Sequence, residues 1–173
     1  MKKILFCLFI IVSFFESTIE AAEKSIEAKL IVGKTLNLTL KDQFNKNHTV
    51  NSDTKRIIFS FSKASTHICN NFFVTKPATY LQNHHTYFIS DISSVPSFLR
   101  TIFIMPDIRE FKHTVLLLDD DNLAASFQKG INTKKIIVVY ILNKKIFKIK
   151  TISTQEELKK SLEMAIDKTC FSR

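Results

Sequence analysis

The chain has 173 residues, a formal net charge of +9, 45% hydrophobic residues and only two glycines. So large an apolar fraction excludes a disordered tail, and two glycines exclude collagen, glycine-rich linkers and a glycine-rich phosphate loop. The length suits one domain with a core of ordinary size.

The first residues are typical of an export signal. Two lysines follow Met1, an apolar run covers residues 4–15, and small residues come after it at Ala21 and Ala22. A basic start, an apolar run shorter than the ~20 residues that span a bilayer, and a small-residue end describe a secretory signal peptide. We expect a signal peptide over residues 1–21 and a single domain over residues 22–173, with an uncleaved anchor as the alternative. The protein would then be periplasmic or secreted, with no stable membrane span after cleavage.

The basic residues are mostly scattered lysines, and arginine is scarce. We therefore expect no nucleic-acid partner. In the densest stretch, Lys148 and Lys150 alternate with Phe147 and Ile149, which is typical of a strand with one solvated face. Such a face discourages unwanted strand pairing, or it meets an anionic partner in the cell envelope.

The first half of the chain predicts a hairpin followed by alternating strands and helices. Leu36, Leu38 and Leu40 share one face of an extended segment that ends in the polar turn 42–47, so residues 30–50 form the hairpin. Four elements follow in the predicted order, namely a strand over 57–61, a helix through Ile68, Phe72 and Phe73, a strand over 87–92 and a short helix over 95–104.

The second half predicts a strand over 115–118, which the acidic run 119–121 closes as a turn or cap. Two β-branched runs, 136–142 and 146–152, predict a second hairpin. Ser153 or Thr154 caps a last helix whose buried stripe is Leu158, Leu162 and Ala165. Alternating units require parallel pairing in the first half, and the last hairpin adds antiparallel edges. The fold class is therefore α/β, a mixed sheet flanked by helices.

This order and four local stretches resemble the thioredoxin fold in its redoxin and peroxiredoxin branch. The stretches are the entry hairpin at 32–34 and 38–43, with Asn45 where the family usually has glycine, the central strand at 57–62, the next strand at 88–92, and the strand and acidic turn at 116–124. The resemblance covers residues 32–168. It implies a thioredoxin-like three-layer sandwich, with a mixed central sheet flanked by helices and an N-terminal β-hairpin.

The resemblance places the family's Cys-x-x-Cys position at Thr66-His67-Ile68-Cys69, where the first cysteine is Thr66. One cysteine cannot both attack and resolve a mixed disulfide, so dithiol exchange is not expected. Peroxiredoxins instead use Thr-x-x-Cys, which makes Thr66 and Cys69 candidate catalytic residues, with Cys69 the nucleophile. The family's proline is Ser62 here, and no arginine stands on the late strand, where Lys134 and Lys135 are the nearest cations.

Three further residues are candidates on the same resemblance. The segment 111–115, taken as the loop beside the family's active site, has no proline, and its His113 is a candidate base for Cys69. Cys170 is a candidate resolving thiol, or else it has no function near the C-terminus. Cys69 is either a reactive thiol or a buried, inert one. His67 and Cys69 are too few ligands for a metal site, so no metal and no cofactor are expected.

Three functions remain open at the sequence level. The first, which we favour, is an exported thioredoxin-like protein without dithiol activity that acts as a binding or accessory module for an unknown protein partner in the periplasm. The second is a one-cysteine thiol peroxidase that uses Thr66 and Cys69. The third is a structural envelope protein that uses its lysine-rich strand.

Overall fold

The computed structural model describes residues 29–166, in which strands and helices alternate along the chain. The strands are Thr39–Asp42 (β1), Asn47–Thr49 (β2), Arg56–Ser60 (β3), Thr86–Asp91 (β4), Leu116–Leu118 (β5), Ile136–Leu142 (β6) and Lys145–Ile152 (β7). The helices are Lys63–Phe73 (α1), Tyr80–Asn83 (α2), Ser97–Leu99 (α3), Met105–Arg109 (α4), Asp121–Gln128 (α5) and Gln155–Glu163 (α6), and a π-helical turn, Arg100–Ile104, joins α3 to α4.

The seven strands form one sheet in the order β2-β1-β5-β4-β3-β6-β7. Strands β3, β4 and β5 are parallel, with Phe59 opposite Ile89 and Ile89 opposite Leu116. Strand β6 runs antiparallel to β3, and the hairpins β1–β2 and β6–β7 are antiparallel. The predicted mixed sheet, parallel in its first half and antiparallel at its edges, is confirmed.

The sheet separates two hydrophobic clusters. One face packs the segment that precedes β1, at Leu36 and Leu38, together with Phe127 of α5. The other face packs α1, α2, α4 and α6, and its members include Phe73 and Leu162. Helices therefore cover both faces of one sheet, which is the expected thioredoxin-like three-layer sandwich.

The N-terminal hairpin is built around Asp42, which is buried and accepts backbone hydrogen bonds from Phe44 and Lys46 at 2.8 and 2.9 Å. Asn45 stands at the turn with a φ of 65°. Asparagine tolerates this left-handed conformation better than other non-glycine residues. Asn45 therefore takes a backbone conformation that favours glycine, which is the residue the resemblance predicts at this position.

The C-terminal hairpin is closed by Asn143 and Lys144, both with positive φ, as the tightest two-residue turns require. On the outer side of β7, the backbone of the segment 33–36 extends the sheet. Gly33 donates to the carbonyl of Ile146 at 2.7 Å, and Ile146 donates to the carbonyl of Lys34 at 3.0 Å. The first part of the edge strand is thus covered by the protein's own chain.

The helices differ from the sequence expectations at three places. Helix α5 was not expected, although the acidic run was interpreted as a turn or cap. The side chain of Asp120 accepts from the backbone N–H of Leu123 at 2.7 Å and caps this helix. The helical stretch after β4 continues beyond Ile104 to Arg109. Thr154 is the cap of α6, with Glu157 completing a capping box, but Ala165 lies past the helix end and is exposed.

The predicted signal peptide over residues 1–21 lies outside the described residues, as do Cys7 and Cys170. Across residues 29–166, no helix has the length and apolar character needed to cross a membrane.

Candidate functional site

Helix α1 starts directly after the central strand β3, at the carboxyl edge of the parallel strands. Ser62 is its N-cap, and the hydroxyl of Ser62 accepts from the Ser65 N–H at 3.2 Å while the hydroxyl of Ser65 accepts from the Ser62 N–H at 3.2 Å. The two hydroxyl oxygens are 2.9 Å apart. The buried stripe Ser65, Cys69, Phe72 and Phe73 has helical spacing and seats α1 on the sheet.

The N-terminus of a helix is where backbone N–H groups and the helix dipole lower the pKa of a thiol. In this chain that place holds Ser62 and Ser65, which share the three-residue spacing of a Cys-x-x-Cys pair. The stretch from Thr66 to Cys69, at which the resemblance places the family's Cys-x-x-Cys position, begins four residues after the N-cap Ser62. The polar break at 62–65 is itself the first turn of the helix.

Thr66 is half-buried and holds the junction between β3 and α1. Its hydroxyl donates to the Ser60 hydroxyl at 3.0 Å, and Ser60 is fully buried at the end of β3. The structure therefore gives the Thr66 hydroxyl a partner on the strand.

Cys69 lies in the second turn of α1, with none of its surface exposed, among the apolar residues of the helix-rich core face. It is a free thiol, and burial raises its pKa well above the usual range. Burial disfavours the thiolate, which is the form that attacks peroxides and disulfides. Lys134 and Lys135, the cations expected to help it, are exposed just before β6.

His113 lies at the opposite end of the sheet from the start of α1, because it precedes β5, which runs parallel to β3. It is 3% exposed, and rings of Phe73, Phe88 and Phe111 surround it at centroid distances of 5.1, 6.0 and 5.2 Å. Neither ring nitrogen has a hydrogen-bond partner, and burial lowers its pKa to about 4. The structure does not join His113 and Cys69 by a hydrogen bond.

Sequence reasoning missed Gln43, which fixes the backbone beside His113. Gln43 is 1% exposed; its amide nitrogen donates to the His113 carbonyl and its amide oxygen accepts from the Val115 N–H, both at 2.9 Å. This clamp joins the first hairpin to β5. The sequence places Asp42-Gln43 at the end of a predicted strand, but this pair indicated only the hairpin and not the clamp.

Two other histidines, His67 and His84, have ordinary structural surroundings. His67 is exposed, and one ring nitrogen lies 3.0 Å from the Asn71 side-chain amide. His84 is the C-cap of α2, as expected of a histidine that ends a helix. Within residues 29–166 no group of three or more His, Cys, Asp or Glu side chains is arranged to hold a metal ion.

Comparison with known proteins returns matches among solved structures alone. No protein-family model matches the sequence, and no curated protein matches it in a sequence search. Peroxidoxin BcpB from Mycobacterium tuberculosis is similar at 16% identity, over 76% of this chain and 93% of that chain, with a TM-score of 0.47.

Two other solved structures are similar over most of their length. The thioredoxin domain of a thiol-disulfide oxidoreductase from Bacteroides vulgatus is 15% identical over 78% of this chain and 100% of that chain, with a TM-score of 0.48. StoA from Bacillus subtilis is 12% identical over 76% of this chain and 99% of that chain, with a TM-score of 0.49. At these identities and TM-scores the fold assignment rests on the strand order and layers described above.

Proposed function

We propose that this chain is an exported thioredoxin-like protein that lacks dithiol oxidoreductase activity and acts as a binding or accessory module for a protein partner in the periplasm. The observation that carries the proposal is the first turn of α1, where the hydroxyls of Ser62 and Ser65 occupy the place at which a thiol would be activated.

The chemistry of thiol exchange supports the same conclusion. Exchange needs one thiolate to attack and a second thiol to release the mixed disulfide. The cysteines of this chain are Cys7, Cys69 and Cys170, so no two have the Cys-x-x-Cys spacing. Cys69 has none of its surface exposed and burial raises its pKa, which supports the proposal that it is not a nucleophile.

Export rests on the N-terminal sequence. We infer cleavage after residue 21 and a single mature domain over residues 22–173, because a basic start, a short apolar run and small residues succeed one another there. The proposed module uses no cofactor and no metal, so its work in the periplasm is recognition of its partner.

The test is the rate at which each cysteine is alkylated in the folded mature protein. Protein purified from the periplasm is treated with iodoacetamide at pH 7.5, with and without prior reduction, and peptides containing Cys69 and Cys170 are quantified by mass spectrometry. The same sample is measured in 6 M guanidinium, which sets the rate for the unfolded chain. The variants Cys69→Ala and Cys170→Ala identify which thiol each signal belongs to.

The proposed module predicts that Cys69 is alkylated only when the protein unfolds, and that peroxide adds no oxygen to it. The opposite result is rapid alkylation of Cys69, together with addition of oxygen to it or a disulfide to Cys170 on peroxide treatment. That result would support the one-cysteine peroxidase hypothesis, with Thr66 beside the nucleophile, in place of the binding module.

A further inference from the structure

A cavity of about 510 Å³ opens at the amino edge of the parallel strands, the end of the sheet away from the start of α1. The hairpin β1–β2 forms one wall, the turn at 51–54 a second, and helix α2 with the first residues of β4 a third. A volume of this size is in the range that holds a small organic ligand.

The polar side of the cavity offers hydrogen-bond donors. The side-chain oxygen of Asn51 accepts from the N–H groups of Asp53 and Thr54 and from the Thr54 hydroxyl, at 3.0–3.1 Å. That oxygen is thereby occupied, and the amide NH₂ of Asn51, which carries two donors, is the part left for a ligand. Lys46, a lysine on the hairpin wall, is also in the lining.

The apolar side of the cavity includes two rings and Leu81 of α2, which is 4% exposed. The rings of His48 and Tyr87 meet edge to face with centroids 6.0 Å apart. The His48 ring is fixed, because its Nε2 lies 2.7 Å from the Asp42 carboxylate. The Asp42 carboxylate also accepts hydrogen bonds from two backbone N–H groups of the hairpin, so its oxygens are bound by the hairpin itself.

We propose that this cavity binds a small organic carboxylate with a flat apolar body. The carboxylate meets the Lys46 ammonium and the Asn51 amide, since charge-assisted bonds to a carboxylate are stronger than neutral ones. The body lies against the Tyr87 ring and Leu81, where burial of apolar surface adds to the affinity. The lining also holds one carboxylate, Asp53, so the cavity is not uniformly basic.

The inference goes beyond the proposed module function, because the cavity lies at the edge opposite α1 and uses none of its thiol or hydroxyl groups. The alkylation experiment on Cys69 and a ligand titration of this cavity therefore fail or succeed separately.

The test uses benzoate as the probe and benzamide as its neutral counterpart of the same shape. The ¹⁵N-labelled mature protein is titrated with each to 20 mM, and backbone amide shifts are followed. Benzoate is expected to move the amides of Gln82, Tyr87 and Thr114, which line the cavity, with a dissociation constant in the millimolar range. Benzamide is expected to bind at least fivefold more weakly.

Two variants probe the carboxylate contact, and a third is the matched control. Lys46→Met removes the ammonium at an exposed position, and Gln82→Glu, also exposed, places a carboxylate at the mouth of the cavity without touching the core. Each is expected to weaken benzoate binding at least fivefold. Lys145→Met changes an exposed lysine on β7, at the far edge of the sheet, and is expected to leave binding unchanged.

Any of three results would overturn the proposed carboxylate site. They are equal binding of benzamide and benzoate, benzoate-induced shifts confined to other parts of the chain, and unchanged benzoate affinity in Lys46→Met and Gln82→Glu. The dispersion of each variant's spectrum shows that the variant is folded, so a loss of binding is not confused with a loss of structure.

Discussion

Replacing the buried histidine by leucine isolates the contribution of a single titratable group to acid stability. His113 sits among three phenylalanine rings, with both ring nitrogens unpaired. The fold therefore accepts only the neutral ring, which is why burial lowers the pKa from 6.5 to about 4. The variant His113→Leu keeps a side chain of similar volume and removes the titration.

The expected magnitude follows from the two pKa values. The folded state binds the proton less readily than the unfolded chain, so stability is complete above pH 6.5 and declines as the pH falls toward 4. A difference of this size corresponds to roughly 3 kcal/mol at its limit, most of which falls between pH 7.5 and pH 4.5. His113→Leu is expected to lose that much less stability than the wild type over this interval.

The measurement is urea unfolding at pH 7.5 and pH 4.5, followed by far-ultraviolet circular dichroism. Titrations of Asp42 and other carboxylates act equally on both proteins, so the difference between the two pH dependences reports His113. The matched variant is His67→Leu, which makes the same substitution at an exposed histidine and reports the effect of the substitution itself. Identical pH dependences for His113→Leu and the wild type would refute the conclusion that the folded protein holds His113 neutral.

Two further variants test the clamp and the start of α1. Gln43→Leu removes a side chain that satisfies two buried backbone groups, and it is expected to cost about 2–4 kcal/mol in urea unfolding; a loss under 0.5 kcal/mol would contradict the clamp. The double variant Ser62→Cys with Ser65→Cys puts two thiols at the helix N-terminus and is expected to gain dithiothreitol-dependent insulin reduction. The matched single variant Thr66→Cys forms the same spacing with Cys69 one turn later, and equal activity in it would show that the helix N-terminus is not the decisive feature.

The strand pattern was well predicted because its signals are local. The β-branched runs at 136–142 and 146–152 have no helical periodicity, and the short turn between them permits only a hairpin. The cap at Thr154 with Glu157 is equally local, because the two residues satisfy each other's backbone N–H groups. Elements of this kind are determined by neighbours in the sequence.

The surroundings of the candidate site depend on where a helix begins relative to a strand. The resemblance could not show that Ser62 already caps α1, and this start decides which side chains stand at the helix N-terminus. The environment of His113 was also beyond the sequence, since Phe73, Phe88 and Phe111 come from separate elements. No local sequence pattern predicts that these three rings will enclose a histidine.

The backbone pairing of residues 33–36 with the start of β7 joins parts of the protein that are distant in sequence. Closing a long loop costs entropy before any contact repays it, and contacts of this kind slow folding. Leu36 and Leu38 lie in or beside the paired segment, so their burial on the sheet face is coupled to a contact with one of the last strands of the sheet in chain order.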